Sequence, residues 1–258
     1  MATLGFIGSG SIGTKIARLA VDAGIDVVLS NSRDPQSLSE TVAGLGERAR
    51  AATPEEAARA GDWVVVSIPL AAYRDLPAAA LAGRTVLDTI NYIPMRDGRV
   101  DALDTGATTA AELVQAHLAG AHLVTAFGNI CDFHLLPLAR PAGATDRTAL
   151  PIAGDDPRAK EEAADLIGRL GFDTVDAGPL SESWRFEPET LPFATPYAAD
   201  PDALWAAYAA YARLAEDPDN GNPPQWPPAD PGTPLPASRL RTLLAQASRK
   251  LTADRVFT

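Results

Sequence analysis

The run Leu4-Gly5-Phe6-Ile7-Gly8-Ser9-Gly10-Ser11-Ile12-Gly13 constrains this chain more than any other stretch of it. An apolar strand pattern enters Gly-x-Gly-x-x-Gly, and a helical pattern leaves it without a gap. Each glycine then has its own task. Gly8 permits the tight strand-to-helix turn, Gly10 lets a phosphate approach the backbone, and Gly13 lets the helix lie close to the sheet. The helix N-terminus adds amide donors and the positive end of its dipole, so Ser9 to Ile12 read as a cradle for a dinucleotide pyrophosphate. The competing reading is a glycine-rich turn in some other α/β protein; the readable strand before the glycines and helix after them favour the dinucleotide site.

The alternation continues downstream. Strands are expected at Leu4–Gly8, Asp26–Ser30, Arg48–Ala52, Asp62–Ile68, Thr85–Asp88 and His122–Phe127. Helices are expected between them at Ser11–Ala23, Leu38–Leu45, Pro54–Ala60, Ala71–Leu81 and Ala110–His117. Thr148–Ala153, Asp156–Leu170 and Thr174–Ala177 add one more strand–helix–strand unit. This pattern predicts a Rossmann-type, doubly wound α/β fold with a mostly parallel sheet over residues 1–178. The long connection Thr89–Thr109 reads as a loop, a length associated with function or disorder. Residues 179–258 are expected to form a C-terminal helical and extended segment that covers a cleft or makes a dimer. It contains helical patterns at Ala203–Glu216 and Ala237–Leu251. Between them, Pro218–Pro236 holds eight of the 22 prolines, too many for a regular helix or central strand.

Composition narrows the class. A formal charge of −11 over 258 residues argues against nucleic-acid or acidic-membrane partners. Cys131 is the single cysteine, which excludes an intramolecular disulfide and suits a reducing compartment. With no secretory pattern at the start and no apolar run long enough to span a bilayer, a cytoplasmic location is expected.

The second strand end identifies the nucleotide. An NAD site places a carboxylate there for the ribose hydroxyls. This chain has Ser30-Asn31-Ser32-Arg33 instead, donors that suit a 2′-phosphate, so NADP(H) is expected over NAD. Asp34 is the objection, but its place before Pro35 reads as a helix cap.

Several segments together resemble the NADP-dependent coenzyme F-420 oxidoreductase family. They are Gly8-Ser9-Gly10-Ser11-Ile12-Gly13, Asn31-Ser32-Arg33, Ser67-Ile68-Pro69, Asp88-Thr89-Ile90-Asn91-Tyr92, Pro151-Ile152-Ala153-Gly154-Asp155-Asp156 and Asp176-Ala177-Gly178-Pro179-Leu180. The resemblance spans about residues 1–187. It implies hydride exchange between NADP(H) and the deazaflavin coenzyme F-420, and a homodimer. It also implies that Ser32 and Arg33 hold the 2′-phosphate, that Ile68 and Pro69 follow the nicotinamide ribose, and that Ser67 belongs to the cofactor site. Ala126-Phe127-Gly128-Asn129-Ile130 would lie near the nicotinamide and the deazaflavin. Gly128 departs from the family, where a histidine or asparagine is expected, so the acceptor pocket should be more open or re-shaped.

Ring-to-ring hydride transfer needs no covalent nucleophile, only stacking in a dry site. Asn91 and Asn129 suit an orienting role, since each offers a donor and an acceptor; both equally suit turn formation. A small imine, carbonyl or metal chelate as acceptor is the alternative, and a carbonyl or imine would need an acid. Asp132, His134 and Tyr92 are the nearby candidates, with His134 reading better as structural. His117 and His122 also read as structural. Trp184-Arg185 suits either an acidic tail of the acceptor or, with Phe186, anchoring of the C-terminal segment. Trp205, Tyr208 and Tyr211 read as a packing face. A third alternative is a non-enzymatic, NADP-binding redox sensor.

Overall fold

Val27, Val28 and Leu29 in one strand, and Val64, Val65 and Val66 in another, are all buried. Such runs, apolar on both faces, belong to parallel strands covered by helices on each side. A computed structural model describes residues 2–216 and 230–252. Its sheet has eight strands in the order β3-β2-β1-β4-β5-β6-β7-β8. These are β1 (Thr3–Ile7), β2 (Asp26–Ser30), β3 (Ala49–Ala51), β4 (Trp63–Val66), β5 (Thr85–Asp88), β6 (His122–Thr125), β7 (Ala149–Gly154) and β8 (Asp173–Asp176). All neighbours pair in parallel except β6 and β7, which are antiparallel.

The helices are α1 (Ser11–Asp22), α2 (Ser39–Leu45), α3 (Pro54–Ala60), α4 (Ala78–Leu81), α5 (Pro94–Asp97), α6 (Asp101–Asp104), α7 (Ala110–His117), α8 (Asp132–Leu138), α9 (Pro157–Arg169), α10 (Pro201–Glu216) and α11 (Ala237–Gln246). Ile16 and Ala20 of α1, Leu166 and Ile167 of α9, and Leu240 and Leu244 of α11 share one core with Leu4, Phe6 and Leu29. Leu81 and Val114 join a second core with Ile7, Val64 and Val66. Helices thus cover both faces, and the strand order reverses between β1 and β4, where a crevice opens at the strand C-termini.

Several boundaries differ from the sequence reading. The helix expected at Ala71–Leu81 is a 3-10 turn at Leu70–Asp75 followed by α4, because Pro77 interrupts the ladder. The Thr89–Thr109 connection is not featureless. It contains the single-turn helices α5 and α6, fastened by buried Tyr92, whose hydroxyl donates to Asp104 at 2.8 Å and accepts from the Val100 amide at 3.0 Å. β6 stops at Thr125 rather than Phe127, which has φ 61°. α8 was not foreseen at all; its pattern is obscured by Pro137 in its last turn. α11 ends at Gln246.

The chain after β8 closes over the same core. The Tyr197 hydroxyl donates to the Ala149 carbonyl at 3.2 Å, and the Ala149 amide donates to Leu235 at 2.7 Å. Asp230 ties its own stretch to residues 199–200, accepting from the amides of Ala199 (2.9 Å), Asp200 (3.1 Å) and Gly232 (2.7 Å). Residues 217–229 of the proline-rich stretch, and the side chains of Tyr211 and Leu214, lie outside the described residues. Among the described residues, no helix is long and apolar enough to cross a membrane.

Candidate dinucleotide and acceptor site

The turn after β1 is built by the glycines as the motif requires. Gly8 has φ +103°, and a Cβ there would lie 2.1 Å from the Ser67 carbonyl oxygen. At Gly13 a Cβ would lie 2.5 Å from the Gly8 carbonyl, so α1 approaches β1 as closely as it does because no side chain intervenes. At Gly10 a Cβ would meet nothing within 4 Å. The backbone is therefore bare where α1 begins. No side chain caps that end, and its first amides have no intrahelical partner. Thr14 braces the loop by donating to the Ser9 carbonyl at 3.1 Å.

Two adjoining cavities run along the strand C-termini. One, of about 630 Å³, lies over Gly8, Ser9 and Gly10 and is bounded by Asn31, Ser32 and Arg33. The other, of about 300 Å³, is bounded by Ser11, Ile12, Asn91, Gly128 and Ile130. Ser67, Ile68 and Pro69 border both, which makes one continuous groove. A depression of about 610 Å³ beside Asp26 and Arg48 lies at the other ends of the strands, far from the glycine turn.

At the first cavity the residues after β2 divide their duties. The Ser30 hydroxyl is buried and donates to Phe6 at 2.7 Å. Asn31 shapes the loop: its carbonyl oxygen accepts from the Arg33 amide at 2.8 Å and its amide donates to Ser37 at 3.0 Å. Ser32 and Arg33 are exposed. Asp34 accepts from the Gln36 amide at 2.8 Å and caps the turn at Pro35–Leu38.

The second cavity differs from the sequence reading. Asn91 is there, and its amide donates to the Gly128 carbonyl at 2.6 Å. Asn129 is not. Its side chain is fully buried and donates to the Pro192 carbonyl at 3.0 Å and to the Tyr197 hydroxyl at 2.8 Å. It secures the 192–197 segment, which corrects the orienting role expected of it. His134 is buried, with Nε2 3.1 Å from Asp230, and burial holds its imidazole below its usual range despite that carboxylate. It is a structural histidine. Arg185 bonds Glu182 at 2.5 Å and the Leu244 carbonyl at 3.3 Å and lies over Trp184, so this pair fastens the C-terminal segment away from the groove.

Asp132, one of the acid candidates, borders the cavity, and so do Ile93, Arg96, Cys131, Phe193 and Tyr208, to which the sequence reading gave no role in the site. Asp132 pairs with Lys15 and accepts from the Ser11 hydroxyl, so α8 is tied to the start of α1. Tyr208 comes from α10, with its hydroxyl 3.3 Å from Cys131 Sγ. Burial, with Cys131 beside it, holds the Tyr208 phenol well above its ordinary range, so it stays protonated. Asp97, beside Arg96, would be pushed up by burial. The Arg96 guanidinium and the amides of Ile93 and Ala71 outweigh this and hold it below the usual carboxylate range. Only Arg96 and Asp132 had a local signal, each a charged residue in a segment already singled out. Phe193 and Tyr208 reach the groove through tertiary folding.

Crevice position, glycine turn and bare helix N-terminus define a dinucleotide-binding α/β protein of the Rossmann class. Residues 3–92 match the family described as NADP oxidoreductase coenzyme F420-dependent. Over 107 residues the chain is 34% identical to the Escherichia coli (strain K12) protein YjhV, covering 34% of this chain and 78% of that one. The crystal structure of hypothetical protein SMa0349 from Sinorhizobium meliloti superposes with a TM-score of 0.62 at 30% identity, covering 71% of this chain and 88% of that one. That of a protein described as an F420-dependent NADP reductase, from Arthrobacter sp. FB24, gives 0.60 at 23% identity, covering 71% and 87%, and bears on the fold alone. The chain belongs to the F420-dependent NADP oxidoreductase family.

Proposed function

We propose that this protein binds NADP(H) along the groove and exchanges hydride between its nicotinamide and a deazaflavin of the coenzyme F-420 type in the smaller cavity. The observation that carries this is the bareness of Gly10. A Cβ there would project into open space above an uncapped α1, while the same atom at Gly8 or Gly13 would collide with backbone. The residues present therefore fit a pyrophosphate.

When bound, NADP(H) supplies or accepts the hydride. Ser9 to Ile12 would hold the pyrophosphate, and Ser32 and Arg33 the 2′-phosphate. Ser67, Ile68 and Pro69 would line the path of the nicotinamide ribose. Ile12, Ile130 and Phe193 supply apolar walls that exclude water, which keeps a hydride from being lost to solvent. Asn91, its amide nitrogen bonded to Gly128, retains a side-chain carbonyl to accept from a carboxamide.

A second reading, an NADPH-dependent reductase of a small carbonyl or imine, is favoured by one observation. Tyr208 brings a neutral phenol to the cavity wall, a hydroxyl able to hydrogen-bond the oxygen or nitrogen of such an acceptor. Mixing the protein with NADP and reduced coenzyme F-420, and following the absorbance of the oxidised deazaflavin, separates the two. Turnover supports the first reading. Tight NADPH binding without turnover overturns it and leaves the second.

A further inference from the structure

Arg96 is the only cationic side chain among the described residues bordering the smaller cavity. Its guanidinium is fixed before any ligand arrives. Nε and Nη2 each donate to Asp97 at 2.9 Å, and Nη2 also donates to the Asn91 carbonyl at 2.7 Å. Asp97 is itself immobilised: its side chain is 1% exposed, and it accepts from the Ile93 amide at 2.9 Å and the Ala71 amide at 3.3 Å. These bonds use the Nε hydrogen and both Nη2 hydrogens, which leaves the two Nη1 donors without a partner among the described residues. The side chain remains 42% exposed.

We infer that Arg96 is an anion anchor for the acceptor: the molecule that meets the nicotinamide carries a carboxylate or phosphate, which Arg96 holds at the rim of the cavity. This rests on the hydride-transfer reading above. Asp97 cancels the formal charge locally but leaves directed donors, and a planar fork locked in place loses little freedom on binding an oxyanion. Competing charges nearby are already engaged. Asp132, across the cavity, is paired with Lys15, and Arg185 is spent on Glu182 and Leu244. Asn91 links this anchor to the floor of the site, since its backbone carbonyl holds Arg96 while its side chain holds Gly128.

The test measures dissociation constants on the full chain saturated with NADP, using two pairs of probes. One pair is oxidised coenzyme F-420 and the same deazaflavin ring without its phosphate-bearing tail. The other is pyruvate and pyruvamide. In at least one pair the charged member should bind about tenfold or more tighter. Arg96→Ala should erase that preference, and Arg96→Lys should restore only part of it. NADPH affinity should stay within about twofold in both variants. The pair that shows the preference tells a deazaflavin phosphate from a carboxylate on a small carbonyl compound. If Arg96→Ala melts below the assay temperature, Arg96→Gln makes the same comparison. A wild-type protein with no charge preference in either pair overturns the inference, as does a preference that survives removal of the guanidinium. Failure of the underlying reading shows separately, as absent NADPH binding or as bound NADPH that none of the probes oxidises, whatever the charge preference.

Discussion

The side-chain amide of Asn91 donates to the carbonyl oxygen of Gly128 across 2.6 Å, joining the exits of β5 and β6 beneath the smaller cavity. A Cβ at Gly128 would lie 3.5 Å from the Asn91 side-chain oxygen and 3.4 Å from the Thr89 carbonyl. The Asn91 amide therefore stands beside the space that a side chain at position 128 would enter. Phe127, held at φ 61° and packed edge-on against Phe172, sets the direction of the Gly128 segment. A non-glycine residue in this conformation costs about 1–3 kcal/mol, a strain typical of ligand-facing turns.

Gly8 and Gly10 should respond oppositely to a methyl group. Gly8→Ala combines positive φ with a 2.1 Å overlap on Ser67 and should cost about 4 kcal/mol or more of stability. Gly10→Ala should melt like the wild type yet bind NADPH about tenfold or more weakly. Thermal melts beside fluorescence titrations separate the two effects.

Arg33→Ala should weaken NADPH by about ten- to a hundredfold, the range of one or more charge-assisted hydrogen bonds, and should leave NADH nearly unchanged. Equal losses for the two nucleotides would remove Arg33 from the 2′-phosphate site.

Asp88 is fully buried at the end of β5, and burial pushes its carboxyl from 3.8 up to about 7. The Ile90 amide opposes this and Glu187 adds to it. The folded state thus holds the proton more tightly than the unfolded chain does. The stabilisation is complete below about pH 4 and is lost as pH rises through about 7. Asp88→Asn should flatten this decline. It should exceed the wild type by roughly 2–4 kcal/mol at pH 8, with little advantage at pH 4, in urea unfolding at both pH values.

Cys131 borders the smaller cavity without being a nucleophile. Burial pushes its thiol up to about 12; the Tyr208 hydroxyl opposes this, while Asp132 and Asp230 reinforce it. Iodoacetamide at pH 8 should modify the folded protein roughly a thousandfold more slowly than the unfolded chain, following the thiolate fraction.

The nucleotide half of the fold was legible because its information is local. Gly8, Gly10 and Gly13 announce a turn whose geometry few other residues tolerate, and Asp26–Ser30, Pro54–Ala60 and Thr85–Asp88 fall where their patterns put them. The acceptor half was less legible because tertiary contacts make it. Nothing near Tyr208 in sequence says that α10 returns to Cys131, and nothing near Asn129 says that Pro192 and Tyr197 will claim its amide. α8 escaped notice because Pro137 argues against a helix, although a proline in its last turn does no more than end it.

The most direct test of hydride transfer within this groove follows an isotope. NADPH carrying deuterium at C4, prepared as each of the two epimers, is incubated with the protein and oxidised coenzyme F-420, and the reduced deazaflavin is analysed by mass spectrometry. The expected result is deuterium on the deazaflavin from one epimer and none from the other. Reduced deazaflavin that carries only solvent hydrogen with both epimers, or no reduction at all despite bound NADPH, would contradict it.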